Sequence, residues 1–322
     1  MSEFEVIAKY FAPLTMGRDG SAGLCDDAAV VCVPDGHELV VSSDTLNEGV
    51  HFLEGCDPAD IAHKALRVNL SDLAAMGAEP LCYQLNIAFP EAPSDGWLAA
   101  FTGALMDDQK TYGIYCSGGD TTSIKGGFLS VSITVMGSVP KGRAVRRGGA
   151  KAGDLIILSG AVGDAVLGLQ VLCEGLERDE YAGAVARYLR PEPRCACASL
   201  LRGFAHAAID ISDGLLADLG HVAAASGVRA ELRLADFGFS ACVQSAVDHG
   251  VLDYETLLSG GDDYELLACV PEEKVMDFMS GMKDLGLSPL VVGRMCEGEA
   301  GVDVYDNNSS RIEFKGAGWR HF

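Results

Sequence analysis

Apolar residues along this chain come in short runs, separated by longer stretches where they return every third or fourth position. The runs predict strands and the periodic stretches predict amphipathic helices. Residues 3–11 read as a short helix. Residues 30–33 and 38–42 read as strands, divided by the turn Pro34-Asp35-Gly36. Asp57 and Pro58 supply a cap and a first helical residue. That helix runs through Ile61, Ala65, Val68 and Leu73 to Met76, and Gly77 ends it. A strand at 81–88, a helix at 97–112 stopped by Gly113, and strands at 114–116 and 128–135 follow. The stretch 140–153 is basic and glycine-bearing, a linker or rim. Beyond it the pattern predicts a buried strand at 154–159, a tight turn Gly160-Ala161-Val162-Gly163, and helices at 164–173, 182–189, 195–208 and 213–225. The last strands fall at 266–270 and 290–293.

Strands mixed with long crossover-like helices read as α/β. The expected division is an N-terminal domain, 1–140, and a C-terminal domain, 146–322. At 322 residues and 48% hydrophobic content the chain is long enough for two cores.

Charge changes the picture. There are 46 acidic residues against 24 Lys plus Arg, a net charge of -22, which disfavours a nucleic-acid surface. No apolar run is long enough to cross a bilayer. The opening MSEFEVIAKYF is acidic, unlike a signal peptide. The eleven cysteines are odd in number and include no CxxC pair, so a reducing, cytoplasmic setting is expected.

Many acids are clustered rather than scattered: Cys25-Asp26-Asp27, Ser42-Ser43-Asp44-Thr45, Gly118-Gly119-Asp120-Thr121-Thr122, Asp210-Ile211-Ser212-Asp213-Gly214 and Gly260-Gly261-Asp262-Asp263. No Lys or Arg is interleaved. Carboxylates gathered without cations repel one another, and hard divalent ions with substrate phosphates are the usual neutraliser. Asp44, at the expected exit of a strand, suits either a metal or an Asx turn. Asp72 lies in line with Val68 and Met76 on the helix and so faces the protein, with Asn69 near it. Gly118-Gly119 opens amides toward phosphate oxygens. Ser212 or Asp213 serves as a helix cap or as part of a phosphate site. Arg143, Arg146 and Arg147 form the densest cation cluster, either solvent-facing or set against phosphate. There is no GxxxxGK[ST], HExxH or GxSxG element.

Taken together, the clusters resemble the thiamine-monophosphate kinase family of the aminoimidazole ribotide synthetase superfamily. The resemblance rests on CDDAAV at 25–30, VSSDTLNEGVHF at 41–52, DPADIAHKALRVNLSDLAAMGAEP at 57–80, SGGDTT at 117–122, GRAVRRGGAKAGD at 142–154, RPEPR at 190–194, AIDISDGLLADLGH at 208–221, LSGGDDYELL at 258–267 and GWRHF at 318–322. It implies an α/β fold of the α+β type with two domains. The N-terminal mixed sheet would pair across a homodimer axis, with a C-terminal α/β domain beside it. It implies several Mg²⁺ ions at Asp27, Ser42, Ser43, Asp44, Asp72, Asp120, Asp210 and Asp213. Nucleotide contacts would fall to Gly119, Asp120, Arg147 and Ser212, and thiamine phosphate contacts to His51, Asp262 and Trp319.

The reaction so implied is ATP-dependent phosphorylation of thiamine phosphate, the last step in making thiamine diphosphate. No general base is needed, because a phosphate oxygen is itself the nucleophile. One departure stands out: Cys25 occupies a position where the family reads glycine, and a cysteine there would be strained if the backbone needed a positive φ. The rival within the superfamily, a hydrogenase maturation factor, would carry a C-terminal cysteine, whereas this sequence reads Trp319-Arg320-His321-Phe322.

Overall fold

The computed structural model describes residues 3–176, 179–314, 316 and 318. The chain divides into two units, Met1–Leu73 with Ala78–Gly142, and Ala74–Gly77 with Arg143–Phe322.

The first unit opens with helix α1 (Glu3–Val6), then runs β1 (His37–Asn47), α2 (Pro58–Ala75), β2 (Glu79–Phe89), α3 (Asp95–Tyr112), β3 (Tyr115–Ser123) and β4 (Ser130–Pro140). Its sheet has the order β1-β4-β2-β3. Strands β1 and β2 both pair antiparallel with β4, and β2–α3–β3 is a parallel crossover. The expected helix grammar is present. Asp57 Oδ1 accepts the Ala59 N–H at 2.8 Å, Ser94 caps α3 through the Trp97 N–H at 3.1 Å, and Gly113 ends α3 with φ +69°. Helices α2 and α3 are locked together by Asp108, which takes Arg67 and His63 on its two oxygens.

The second unit runs β5 (Leu155–Leu158), α4 (Asp164–Glu174), α5 (Ala182–Leu189), α6 (Ala198–Phe204), β6 (Ala207–Asp210), α7 (Leu215–Ser226), β7 (Arg229–Arg233), α8 (Ala241–Asp248), α9 (Tyr254–Ser259), β8 (Leu266–Val270), α10 (Val275–Asp284), β9 (Leu290–Cys296), β10 (Gly301–Tyr305) and β11 (Arg311–Ile312). The sheet order is β11-β10-β7-β9-β5-β8-β6. Alternate residues of its central strands feed two cores. Ile156, Leu158, Ile209, Leu267 and Cys269 join one, with residues of α4, α5, α7, α8 and α9. Ile157, Ala208, Leu266, Ala268 and Val270 join the other, with residues of α6 and α10. A sheet buried on both faces explains why these strands read as unbroken apolar runs.

Several expectations are corrected. Residues 30–33 form no strand; Val30 is exposed, and its N–H donates to the Gly20 carbonyl in an irregular segment. Ser42–Asp44 and Gly118–Thr122 are not turns beyond strands but lie inside β1 and β3. These are the two edge strands of their sheet, where polar residues are tolerated. The helix expected at 195–208 is a 3₁₀ turn, then α6, then strand β6 from Ala207. Pairing with β8 overrides the helical preference of an alanine-rich stretch. Strands β7, β10 and β11 and helices α8, α9 and α10 add to the elements that the apolar pattern predicts.

Candidate active site

In the first unit the oxygen-bearing residues form two groups. One surrounds a cavity of about 260 Å³ lined by Asp26, Asp27, Gln84, Asn86, Gly118, Gly119 and Asp120, among others. Three aspartates face this space, and its described lining residues include no Lys or Arg. Gly119 pairs with Leu85 and Asp120 with Asn86 in the β2–β3 register. Gly119 is close enough to β2 that a Cβ on it would overlap the Leu85 carbonyl, so the strand needs glycine there. The bend before Asp26 answers the cysteine question. Cys25 has φ -106°, and the left-handed backbone falls instead on Ala22, Gly23 and Leu24. Cys25 is accommodated without strain.

The second group lies where β1 meets α2. Ser42 Oγ donates to Asp72 Oδ2 at 2.5 Å, and the Asp44 N–H donates to Asn69 Oδ1 at 3.0 Å. Asn69 is fully buried and anchored by its Nδ2 to the Ala65 carbonyl at 2.9 Å. Strand alternation turns Ser43 to the opposite face from Ser42 and Asp44, where its hydroxyl meets Thr134 Oγ1 at 2.9 Å. Ser43 is thus not gathered with Asp44. Nor does the register bring Asp120 to Asp44: β1 and β3 are opposite edges, and Asp120 aligns with Asn86 rather than with the Asp44–Ile133–Leu85 row. His51 sits in the turn after β1. Its Nδ1 accepts the Asn47 N–H at 3.0 Å, and its carbonyl accepts from the buried Lys64 ammonium at 2.9 Å.

In the second unit β6 delivers the buried Asp210, and the turn Ile211–Gly214 leads into α7. The neighbouring turn Gly260–Glu265 precedes β8. The two turns are stitched by backbone bonds: Ile211 N–H to Glu265 O at 2.9 Å, Asp262 N–H to Ser212 O at 2.9 Å, and Tyr264 N–H to Ile211 O at 2.8 Å. Asp262 and Tyr264 both hold left-handed backbone, φ +70° and +51°. Asp263 points inward; its oxygens accept the Gly163 and Ala165 N–H groups, capping α4, and burial pushes its carboxyl up to about 7.

Three residues went unnoticed in the sequence. Glu265, 1% exposed, accepts from Arg187, Arg194 and Ser159. Lys64 is buried under the His51 turn. Asp218 is buried on α7 and accepts the Ser212 and Asp213 N–H groups. Burial, then the charge of Asp213, pushes its carboxyl up to about 7, while those amides and Arg147 pull it down. A signal existed for Asp218: it lies in line with Leu215 and Val222 on the apolar face of its helix. Asp213, Asp218 and His221 form the one group of potential metal ligands with atoms within 4.8 Å of one another among the described residues. Arg147 is exposed, and Arg143 donates to the Arg202 carbonyl at 2.7 Å. Trp319 lies outside the described residues.

The family model for AIR synthase related proteins matches this chain twice, its N-terminal domain over residues 25–139 and its C-terminal domain over 151–306. Thiamine-monophosphate kinase of Salmonella typhimurium is 41% identical, covering 99% of this chain and 98% of its own. A crystal structure of thiamine-monophosphate kinase from Stenotrophomonas maltophilia superposes with a TM-score of 0.84 at 39% identity, covering 94% of this chain and 96% of that one. A second solved structure, AaThiL complexed with AMPPCP and TMP, gives a TM-score of 0.79 at 31% identity, covering 92% and 91%. Likeness of this extent, in both sequence and fold, places the chain in the thiamine-monophosphate kinase family of AIR synthase related proteins.

Proposed function

We propose that this protein transfers the γ-phosphoryl group of ATP to thiamine phosphate, yielding ADP and thiamine diphosphate. The observation that carries the reading is the end-to-end likeness, 41% identical over 99% of the chain, to a thiamine-monophosphate kinase, together with a solved relative that holds AMPPCP and TMP. A terminal phosphate oxygen of thiamine phosphate attacks the γ-phosphorus, and the bond to the β–γ bridging oxygen breaks as ADP leaves. The acceptor phosphate has its second ionisation near about 6, so it is already a nucleophile at neutral pH and no protein base is required. The transfer is direct, with no phosphorylated enzyme.

The donor set assigned to metal is Asp27, Ser42, Asp44, Asp72, Asp120, Asp210 and Asp213; Ser43, whose hydroxyl meets Thr134 on the other face of β1, is left out of it. It offers carboxylate and hydroxyl oxygens only, and three aspartates around a cavity without a cationic lining residue suit a hard divalent ion. Bound Mg²⁺ would offset the charge of the two polyanionic reactants. Gly119, Asp120, Arg147 and Ser212 bind and orient the nucleotide. His51, Asp262 and Trp319 bind thiamine phosphate. Asn69 holds the backbone of Asp44, and Lys64 holds the turn that carries His51. The functional form is a homodimer paired through the open face of the N-terminal sheet, where Leu39 and Val41 are 45% and 55% exposed.

The test is incubation with ATP and Mg²⁺ and, in parallel, thiamine phosphate, free thiamine or an aminoimidazole precursor. Equimolar ADP and thiamine diphosphate are expected from thiamine phosphate alone. Nucleotide binding without conversion would reject the reading.

A further inference from the structure

We propose that Asp218 is a positioning residue that sets the backbone of Ser212 and Asp213 for nucleotide and cation binding; this rests on the assignment of those two residues above. Asp218 stands in the first turn of α7 and is 3% exposed. Its Oδ2 reaches back past the helix start and accepts two consecutive amides, Ser212 N–H at 3.0 Å and Asp213 N–H at 3.1 Å. One carboxylate oxygen thereby fixes the orientation of two successive peptide planes in the turn.

The other side of the same turn is gripped independently. The Ser212 carbonyl accepts the Asp262 N–H and the Ile211 carbonyl accepts the Tyr264 N–H, from a segment bent by two left-handed residues. A Cβ on Gly261 would collide with the Ser212 carbonyl, so the two turns are in close contact. Carbonyls are thus held from the Gly261 side and amides from the Asp218 side. Removing the carboxylate leaves two part-buried amides without their acceptor, which costs stability and frees the turn to take another conformation. The side chains of Ser212 and Asp213 project from the clamped segment, so its loss appears in what they bind.

The test measures kcat, the KM for ATP, the KM for thiamine phosphate and the Mg²⁺ half-saturation in wild type, Asp218→Ala, Asp218→Asn and Asp213→Asn. Asp218→Ala is expected to raise the ATP KM and the Mg²⁺ half-saturation about tenfold or more, the scale of a lost supporting hydrogen bond, with the thiamine phosphate KM within about twofold. Asp218→Asn keeps an oxygen acceptor and is expected to retain ATP and Mg²⁺ parameters within about threefold. Unchanged ATP and Mg²⁺ parameters in Asp218→Ala, or equal damage to both substrates, would overturn the proposal. Should Asp218→Ala not fold, Asp218→Asn decides alone: a loss as large as that of Asp213→Asn means the carboxylate acts by its charge on the cation and not through the two amides. If Asp213→Asn itself leaves ATP and Mg²⁺ parameters unchanged, the assignment of Ser212 and Asp213 is what fails.

Discussion

Gly119 faces the backbone of Leu85 so closely that the smallest side chain on it would overlap the Leu85 carbonyl oxygen. The strand that carries Asp120 can approach β2 only with glycine at this point. Gly119→Ala is expected to push β3 outward, destabilising the protein by about 1–3 kcal/mol as overpacking does. The same shift moves Gly118 and Asp120 in the cavity wall, so the ATP KM should rise together with the drop in urea midpoint. An unchanged midpoint and KM would show that β3 tolerates a Cβ here.

Glu265 is buried with Arg187 and Arg194 on its oxygens and Ser159 beside them. Removing one member of such a group strands the others without partners. Glu265→Ala is expected to cost about 3–5 kcal/mol, measured by denaturant unfolding. Replacing Glu192, an exposed partner of the same arginines, should cost about 0–1 kcal/mol, the range of surface ion pairs. Equal effects of the two substitutions would contradict the role given to Glu265.

Burial raises the Asp263 carboxyl from near 3.8 to about 7. The folded protein therefore holds this proton more tightly than the unfolded chain does. The stabilising contribution is complete below about pH 4 and is lost as pH rises through about 7. The melting temperature of the ligand-free protein should fall between pH 6 and pH 8, and Asp263→Asn should flatten that slope whatever it does to the absolute value. A variant with the wild-type slope would remove Asp263 from the pH dependence.

Asp44 and Asp120 lie in separate groups of the N-terminal unit, one against α2 and one on the cavity. Asp44→Asn and Asp120→Asn are each expected to lower kcat about a hundredfold, the scale of a lost electrostatic contact at a reaction centre. The melting temperatures should hold or rise, because acid–acid repulsion is relieved. Near-normal turnover at saturating Mg²⁺ in both variants would end the metal assignment.

Helix α2 was legible from its grammar alone: Asp57, Pro58 and Gly77 mark its limits, and the apolar spacing places Asn69 and Asp72 inward. The central strands of the second unit were legible as apolar runs. Edge strands were not. Ser42–Thr45 and Gly118–Thr122 look like turns because each pairs on one side only and carries oxygen-bearing side chains where a central strand carries Val or Ile. Strand β6 was hidden by alanines that favour helix until β8 pairs with them. The acid clusters pointed to cation and phosphate chemistry, but strand alternation, which separates Ser43 from Ser42 and Asp44, needs the strand limits first. Lys64 and Glu265 act on backbone or on charges distant in sequence, partners visible only after folding, whereas Asp218 carries a local signal in its apolar-face position and reaches amides five and six residues before it.

The most direct measurement follows the γ-phosphoryl group of ATP by ³¹P NMR in a single turnover with thiamine phosphate, with and without Mg²⁺. The expected result is a thiamine diphosphate signal that grows in step with ADP and is absent when a chelator removes the metal. ADP formed without thiamine diphosphate, or transfer undiminished by the chelator, would contradict metal-assisted transfer between two phosphates on this protein.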